Sequence, residues 1–391
     1  MRRLIYYEAS KNFFTKPMFT LVLIFLFVNA MKVYAVSNEQ SPFFKLKENY
    51  FREAYEKLYQ DYKGKLTDAK VGKITSLYSS LSEKLADQTY STDAVEGSLT
   101  YNTFSDYLLM KWCFMTDIEY ETGYRKYAEQ IVRNAIENIS FYQKIGNQYE
   151  ARVNYKIAKA FYKRKLTSFH NTDGFRILIY YDFSGIIILL LELFGCSTVF
   201  IKERETEMTI LLKTSFRGKT EVFTAKMLAC LLFLISICAL FSVEDYLLFT
   251  VGFGKMDAFL DPIYMLEGFK DSLLDINLLS FYGVCMGSKI FGAIVVGIIF
   301  MLGSLYGKNT LQVILVNMGI LVGLVGIYSV FEKTSRLLNP LMLFYGRKIF
   351  MRQSFVNVFG YPFWDSLVIY IFSAFLVIIG LFWMRKKWER G

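Results

Sequence analysis

The sequence predicts an all-α polytopic membrane protein with six transmembrane helices and a helical extracellular domain inserted between helices 1 and 2. Of its 391 residues, 54% are hydrophobic and 18% are aromatic, and the apolar residues occur in blocks. A helix needs about 20 mostly apolar residues to cross roughly 30 Å of hydrocarbon. Six segments meet or approach that length: 17–36, 177–201, 227–251, 281–305, 310–330 and 364–384. We number them as spans 1 to 6.

Span 1 has an alternative interpretation as a signal peptide, because basic residues precede a short apolar run and small residues follow it. The stretch before it, MRRLIYYEASKNFFTK at 1–16, is long and aromatic for the first region of a signal peptide. We therefore expect 17–36 to be retained as a spanning helix.

Lysine and arginine residues set the predicted orientation, because short cytoplasmic loops are enriched in them. With six spans, basic residues at 1–16, 202–226, Lys308 and 385–391 all fall on one side. The segment 331–363 would lie outside and is also basic, but four groups outweigh one. Both termini are therefore expected in the cytoplasm. The net charge of +10 is explained by this topology and by attraction to anionic lipid, and not by nucleic-acid binding.

Residues 37–176 form the predicted extracellular domain. Apolar residues recur at spacings of three and four, which is typical of one helix face: Phe43, Leu46, Tyr50, Ala54, Leu58 and Tyr62. Pro42 stands at the predicted start of this helix. The domain is rich in tyrosine, which suits half-buried packing or a peptide- or lipid-contacting surface. Cys113 is its one cysteine, so no disulfide within the domain is expected.

The sequence offers no convincing catalytic or metal site. It has one histidine, His170, whereas an ordinary zinc site needs several His or Cys ligands. The fragment GSLYGKNT at 303–310 lacks the glycine spacing and the Ser or Thr of a phosphate loop. We interpret its glycines, and a second pair on the same span, as small residues for close helix packing. They are Gly283, Gly287, Gly303 and Gly307.

Four of the charged residues within the predicted spans are functional candidates, because a charge is costly in hydrocarbon. Glu244, Asp245 and Lys289 share one depth below the outer ends of spans 3 and 4. We predict that Lys289 pairs with one of these acids; the alternative is that each side chain reaches the interface separately. Glu192 in span 2 either lines a substrate path or caps a neighbouring backbone.

The segment 202–226 between spans 2 and 3 is strongly charged. Its acidic start and basic end suit the two ends of a helix, and Met208, Leu211 and Leu212 would form an apolar edge. The pattern predicts a short amphipathic helix on the inner membrane surface, resting on lipid or docked in a groove of a cytosolic partner.

The stretch KERETEMTILLKTSFRGKTEVFTAKML resembles the cytoplasmic loop of ABC type-2 exporter permeases. The matching residues are Glu203, Glu205, Leu211, Leu212, Thr214, Arg217 and Lys226. Met208 departs from the pattern, because it stands near the position of a Gly–Thr pair in that family. The order of parts also agrees. Residues 1–17 resemble the amphipathic elbow helix, which we assign to 1–16. Residues 261–282 resemble the extracellular lead-in to span 4, and we assign 252–280 to that loop. Residues 339–362 resemble the outer re-entrant region before span 6, which we assign to 331–363.

This resemblance implies a permease subunit without an ATPase site of its own, located in a bacterial plasma membrane. It would form a homo- or heterodimer with a second permease subunit, and a separate cytosolic ABC ATPase would bind ATP and Mg. The residues implied to contact the ATPase are Glu203, Arg204, Glu205, Met208, Leu211, Leu212 and Arg217. The implied cargo is an amphipathic peptide, drug or lipid, with antimicrobial-peptide resistance as one role.

Other classes remain open on the sequence alone. In a membrane sensor, the extracellular domain would bind a ligand and the spans would relay the event. A scaffold could recruit an ATPase without transport. An intramembrane enzyme is disfavoured, because no nucleophile and base stand in a recognisable arrangement.

Overall fold

The computed structural model describes residues 1–40, 49–87, 98–214, 219–253, 256–330, 339–351 and 354–390. Several predicted features therefore lie outside the described residues. These are Pro42, Phe43, Leu46, Arg217 and the 331–338 part of the predicted re-entrant region.

Among the described residues, six helical segments are long and apolar enough to cross a membrane, which confirms the prediction of a six-span, mostly helical membrane protein. Their helices are Lys16–Gln40 for span 1, Asp173–Tyr180 and Phe183–Ser197 for span 2, Glu221–Phe253 for span 3, Leu278–Tyr306 for span 4, Thr310–Val330 for span 5 and Asp365–Arg390 for span 6.

Span 2 is the central helix of the bundle. Of its most apolar window, 78% is buried, against 17% for spans 1 and 5, and it contacts spans 1, 3, 4 and 5. It also departs from the prediction of one continuous helix, because Tyr181 adopts an extended conformation and divides it into two helices. Small residues allow close packing here: a Cβ on Gly195 would lie 2.7 Å from the Phe233 ring.

One end of the bundle collects both termini, and we call it the terminal end. A short helix, Arg2–Asn12, lies there against the start of span 3, and we call it the elbow helix. Just beyond it, the Phe13 ring stacks on Phe233 with centroids 4.4 Å apart. Trp388 near the end of span 6 packs against Phe200 at 5.5 Å. The terminal end also holds the connection from span 2 to span 3 and the 306–310 turn.

The opposite end carries the domain inserted between spans 1 and 2, and we call it the domain end. The described helices of the inserted domain are Asn49–Tyr62, Asp68–Ala86, Thr103–Met110, Thr116–Lys144 and Gln148–Phe161, with a π-helix at Lys111–Met115. A two-stranded sheet pairs Gly64–Lys65 with Ser168–Phe169. Gly64, at the start of the first strand, and Gly146, in the turn before helix Gln148–Phe161, have positive φ, where glycine avoids the strain of a side chain.

Tyrosines build the core of this domain. Tyr55, Tyr59 and Tyr124 are each less than 10% exposed, and Tyr55 lies 5.6 Å from the central Phe114 ring. For these three tyrosines, the structure therefore agrees with the prediction of packing and not with that of a ligand-contacting surface.

The rest of the domain end is a buried segment followed by a hairpin. Helices Leu341–Phe344 and Arg347–Met351 pack into the bundle, and span 4 approaches the first so closely that a Cβ on Gly292 would lie 2.7 Å from the Phe344 nitrogen. An antiparallel hairpin pairs Phe355–Val358 with Tyr361–Trp364 and leads directly into span 6.

Candidate functional site

The described part of the connection from span 2 to span 3 contains two short helices. Ile201–Glu205 is followed by Met208–Thr214, which we call the loop helix, and Glu207 between them has φ +58°. Span 3 begins at Glu221, earlier than the predicted 227. The structure therefore differs from the single amphipathic helix that the sequence predicts, because the chain turns sharply at Glu207.

Four charged side chains meet beneath this connection, and we call them the charge cluster: Glu8, Lys11, Glu203 and Lys226. The Lys226 Nζ lies 2.8 Å from a carboxylate oxygen of Glu8 and 2.8 Å from one of Glu203. The Lys11 Nζ lies 2.8 Å from the same Glu203 oxygen. Lys226, Glu203 and Glu8 are at most 2% exposed. The cluster therefore ties the elbow helix to the end of span 2 and the start of span 3.

Arg204 and Glu205 hold the turn between spans 4 and 5. The Arg204 guanidinium donates to the carbonyl oxygens of Leu305, at 2.6 Å, and Gly307. The Glu205 carboxylate accepts from the backbone nitrogen and the hydroxyl of Thr310, at 2.7 and 2.9 Å. A cation thus sits at the carboxyl end of span 4 and an anion at the amino end of span 5, as the helix dipoles favour.

A second polar layer lies deeper at the same end. Ser304 Oγ accepts hydrogen bonds from the Phe200 and Ile201 nitrogens, at 3.0 and 3.3 Å. Asn317 Nδ2 donates to Ser197 Oγ at 2.7 Å and to the Phe300 carbonyl oxygen at 3.0 Å. Spans 2, 4 and 5 are therefore joined by hydrogen bonds just below the charged connection.

The loop helix exposes an apolar edge. Met208, Ile210 and Leu211 are 47%, 69% and 64% exposed, while Leu212 packs against the bundle core. Of the residues predicted to contact a partner, Met208 and Leu211 thus lie on the surface. Glu203, Arg204 and Glu205 instead make contacts within the chain. Ile210 was not among the predicted residues, although it is the most exposed of the edge.

The intramembrane acids of span 3 are bound by neighbouring polar groups. Asn29 Nδ2 donates to Glu244 and Asp245, at 2.8 Å each, and Ser184 Oγ donates to Asp245 at 2.5 Å. The predicted ion pair of Lys289 with these acids does not form within 4.0 Å; Lys289 lines a cavity instead. The sequence places these three residues at one depth but cannot show which direction each side chain takes.

Glu192 lies at the centre of the bundle and is fully buried. Neither of its carboxylate oxygens has a hydrogen-bond partner among the described residues. A Cβ on Gly297 of span 4 would lie 3.0 Å from one of them. Nearby, the free cysteines Cys196 of span 2 and Cys230 of span 3 make a hydrogen bond, with their sulfurs 3.2 Å apart.

The four predicted packing glycines fall into two groups. Gly303 and Gly307 lie directly against Asn317 and Val313 of span 5. No described atom lies within 4 Å of a Cβ built on Gly283 or Gly287, so that face of span 4 is open within this chain.

Sequence reasoning missed Glu8 as a member of the charge cluster. Its partner Lys226 lies 218 positions away, so no local spacing could indicate the pair. The only available indication was an acid within a short helix that is otherwise aromatic and basic.

No known protein family, characterised protein or solved structure matches the chain. The resemblance to ABC type-2 permeases therefore rests on the 202–226 segment and on the order of parts. The arrangement at the terminal end has to support any functional proposal by itself.

Proposed function

We propose that this chain is the permease subunit of an ATP-driven exporter and that the loop helix docks on a separate cytosolic ABC ATPase. The observation that carries the proposal is the exposed apolar edge of Met208, Ile210 and Leu211 on a loop fastened to the bundle. An apolar helix edge is a common means of docking into a groove on a partner.

The contacts around the loop helix would transmit a movement of the partner. A displacement of the loop helix acts first on residues 201–205, which precede it. Through Glu203 it reaches the elbow helix and span 3, and through Arg204 and Glu205 it reaches the turn between spans 4 and 5. ATP and Mg would be bound by the partner, whose two nucleotide states would favour two arrangements of the spans.

The remaining parts of the proposal are supported by the distribution of basic residues and by the resemblance to ABC type-2 permeases. Both termini and the loop helix would face the cytoplasm of a bacterial cell, since the terminal end carries the basic segments. A second permease subunit would complete the transporter. The cargo would be an amphipathic peptide, drug or lipid.

The proposal is tested by purifying the tagged chain from the membranes of the cell that makes it. We expect vanadate-sensitive ATP hydrolysis to co-purify with the chain. Leu211→Glu should remove most of that activity, because it places a charge in the apolar contact. The matched control is Ile136→Glu, which changes an apolar residue that is 54% exposed on the inserted domain.

Equal ATP hydrolysis with Leu211→Glu would contradict the docking assignment. The sidedness is tested separately with a membrane-impermeant amine reagent on sealed cells. Lys219 is exposed beside the loop helix and should be protected until the cells are opened. Its labelling in sealed cells would place the connection outside and exclude a cytosolic partner.

A membrane sensor is the second candidate, and one observation favours it. Helix Gln148–Phe161 of the inserted domain holds the hairpin that leads into span 6. Its Arg152 side chain donates to the Gly360 carbonyl oxygen at 2.9 Å, and its Lys156 side chain donates to the Pro362 carbonyl oxygen at 2.6 Å. A ligand that moved this helix would act directly on a span. Purification without any ATPase activity would favour this function.

A further inference from the structure

A small cavity lies toward the domain end of the bundle, where spans 2, 3 and 4 meet the buried segment 339–351. Its volume is about 40 Å³, which is room for roughly three water molecules. The walls combine aromatic side chains with a few polar groups. The lining residues used below are Tyr181, Ser242, Tyr282, Lys289 and Tyr345.

Two donors on the cavity wall have no acceptor. Lys289 makes neither a hydrogen bond nor an ion pair within 4.0 Å with any residue that the structure describes. Ser242 is 1% exposed, and its hydroxyl also lacks a partner in the described chain. A buried donor without an acceptor costs about 1–3 kcal/mol, and the Ser242 hydroxyl is such a donor. Lys289 is half-buried, and its charge lies within an apolar span. Both groups therefore favour an acceptor supplied from outside the chain.

The nearby acids are already bound by other groups. The Asp245 carboxylate accepts hydrogen bonds from Asn29 and Ser184. Asp182 forms a two-point ion pair with Arg347, of which one contact measures 2.6 Å. The cavity thus presents the Lys289 ammonium group without a carboxylate oxygen within 4.0 Å among the described residues. Its charge acts on Asp245 only over a longer distance, and the hydrogen bonds of Asp245 are made with other groups.

The position of Lys289 also indicates a ligand. It lies about 16 Å along the helix from Leu278, the first residue of span 4, where a charged side chain must face a partner or a polar cavity. Tyr181, Tyr282 and Tyr345 around it offer apolar ring surfaces, which suit the non-polar part of a molecule better than a free inorganic ion.

We infer that this cavity binds the anionic group, a phosphate or carboxylate, of an amphipathic molecule, with Lys289 as its counter-ion and Ser242 as a hydrogen-bond donor. An oxyanion accepts from both groups at once, and charge-assisted hydrogen bonds of this kind are about twice as strong as neutral ones. The inference needs no ATPase partner and stands whether or not the exporter proposal does.

The test uses the purified full chain in a neutral detergent, with thermal unfolding followed as a function of ligand concentration. The probes are dodecyl phosphate, dodecanoate, dodecyltrimethylammonium and inorganic phosphate. We expect one or both anionic amphiphiles to raise the unfolding temperature in a saturable way, and the stronger of the two identifies the preferred group. The cationic amphiphile and inorganic phosphate should not do so.

Lys289→Met should weaken the apparent affinity for the anionic amphiphile about tenfold or more, and Lys289→Arg should retain it within about threefold, because it keeps the charge. Lys32→Met is the matched control, since it removes an exposed lysine of span 1 that does not line the cavity. Ser242→Ala keeps every charge and should weaken binding about threefold or more. It provides the test if Lys289→Met does not purify.

Unchanged affinity in Lys289→Met or in Ser242→Ala would overturn the assignment. Equal protection by the cationic amphiphile would show that the effect comes from the alkyl chain alone and would also overturn it. Protection by inorganic phosphate as strong as that by dodecyl phosphate would exclude an amphipathic ligand.

Discussion

The two ends of this bundle are held together by different kinds of contact. At the terminal end, buried ions join the helices: Lys226 bridges Glu8 and Glu203 with almost no exposure to solvent. At the domain end, the Asp182–Arg347 ion pair is partly exposed, and several side chains of the inserted domain bind backbone carbonyl oxygens. Tyr120 donates to that of Tyr264 at 2.7 Å, and Arg164 to that of Ser272 at 2.7 Å.

This difference indicates how each end can move. A buried ion must keep its partners, because a charge left without one in a dry interior is strongly destabilising. A carbonyl oxygen, in contrast, is presented by every residue, so a donor can exchange one for the next at little cost. We therefore expect the terminal end to move as one unit and the domain end to rearrange more easily.

The largest effect should come from breaking the charge cluster. Lys226→Met leaves Glu8 and Glu203 buried without their shared cation, although Lys11 still contacts Glu203. We expect a loss of about 3–5 kcal/mol in the free energy of unfolding, measured by thermal or denaturant unfolding in detergent. Lys219→Met is the control, because Lys219 is exposed on the same connection and its removal should change stability little.

Adding Glu8→Gln and Glu203→Gln to Lys226→Met should restore much of the lost stability, because no uncompensated charge then remains. If the triple variant is no more stable than Lys226→Met alone, the loss comes from packing, and the buried ions do not distinguish the terminal end.

The domain end should show a smaller and more local effect. The Arg164 guanidinium donates to Ser272 and Leu274 and lies between the rings of Phe161 and Tyr264, 4.7 Å from each. Arg164→Met should cost about 2–3 kcal/mol and raise hydrogen exchange in 256–277 while leaving the terminal end protected.

Arg164→Lys should not restore the loss, because lysine lacks the planar fork that stacks and donates in two directions. Arg133→Met, at an exposed position of the inserted domain, is the control. An equal rise in exchange at both ends of the bundle would contradict the expected independence of the domain end.

The six spans could be predicted from the sequence, because long apolar runs have few other folded solutions. The roles of the charges could not. Lys226 looks like an ordinary basic residue before a span, and only the fold brings Glu8 to it. Depth along a helix follows from residue number, so Glu244, Asp245 and Lys289 were placed at one level. The direction of each side chain depends on how the helices pack.

The pH dependence of stability gives a third comparison of the two ends, because the inserted domain contains buried acids with raised pKa values. Burial, together with the nearby Asp117 and Asp261, raises the pKa of Glu121 in the inserted domain to about 9. Burial also raises the pKa of Asp117 to about 7. His170 lies close by, 2.6 Å from Asp261.

Because the folded pKa of Glu121 exceeds its value of 4.5 in the unfolded chain, the folded state binds more protons between these two values. Stability should therefore fall as pH rises from about 4.5 to about 9, by at most about 1.4 kcal/mol per pH unit for one group. Glu121→Gln should flatten this dependence in the inserted domain. Hydrogen exchange measured at several pH values checks it, and an unchanged slope would contradict the role of Glu121.

The smallest effect concerns the contact between the inserted domain and the hairpin before span 6. Arg152 donates to the Gly360 carbonyl oxygen and lies over the Tyr361 ring, 4.2 Å from its centroid. Arg152→Met should cost about 1 kcal/mol or slightly more, and Arg152→Lys should recover only part, because lysine cannot stack as a plane. The hairpin's amides should exchange faster in Arg152→Met while span 3 is unaffected. If exchange also rose at the start of span 3, around Lys226, this contact would reach the terminal end, and the two ends would be coupled through the bundle.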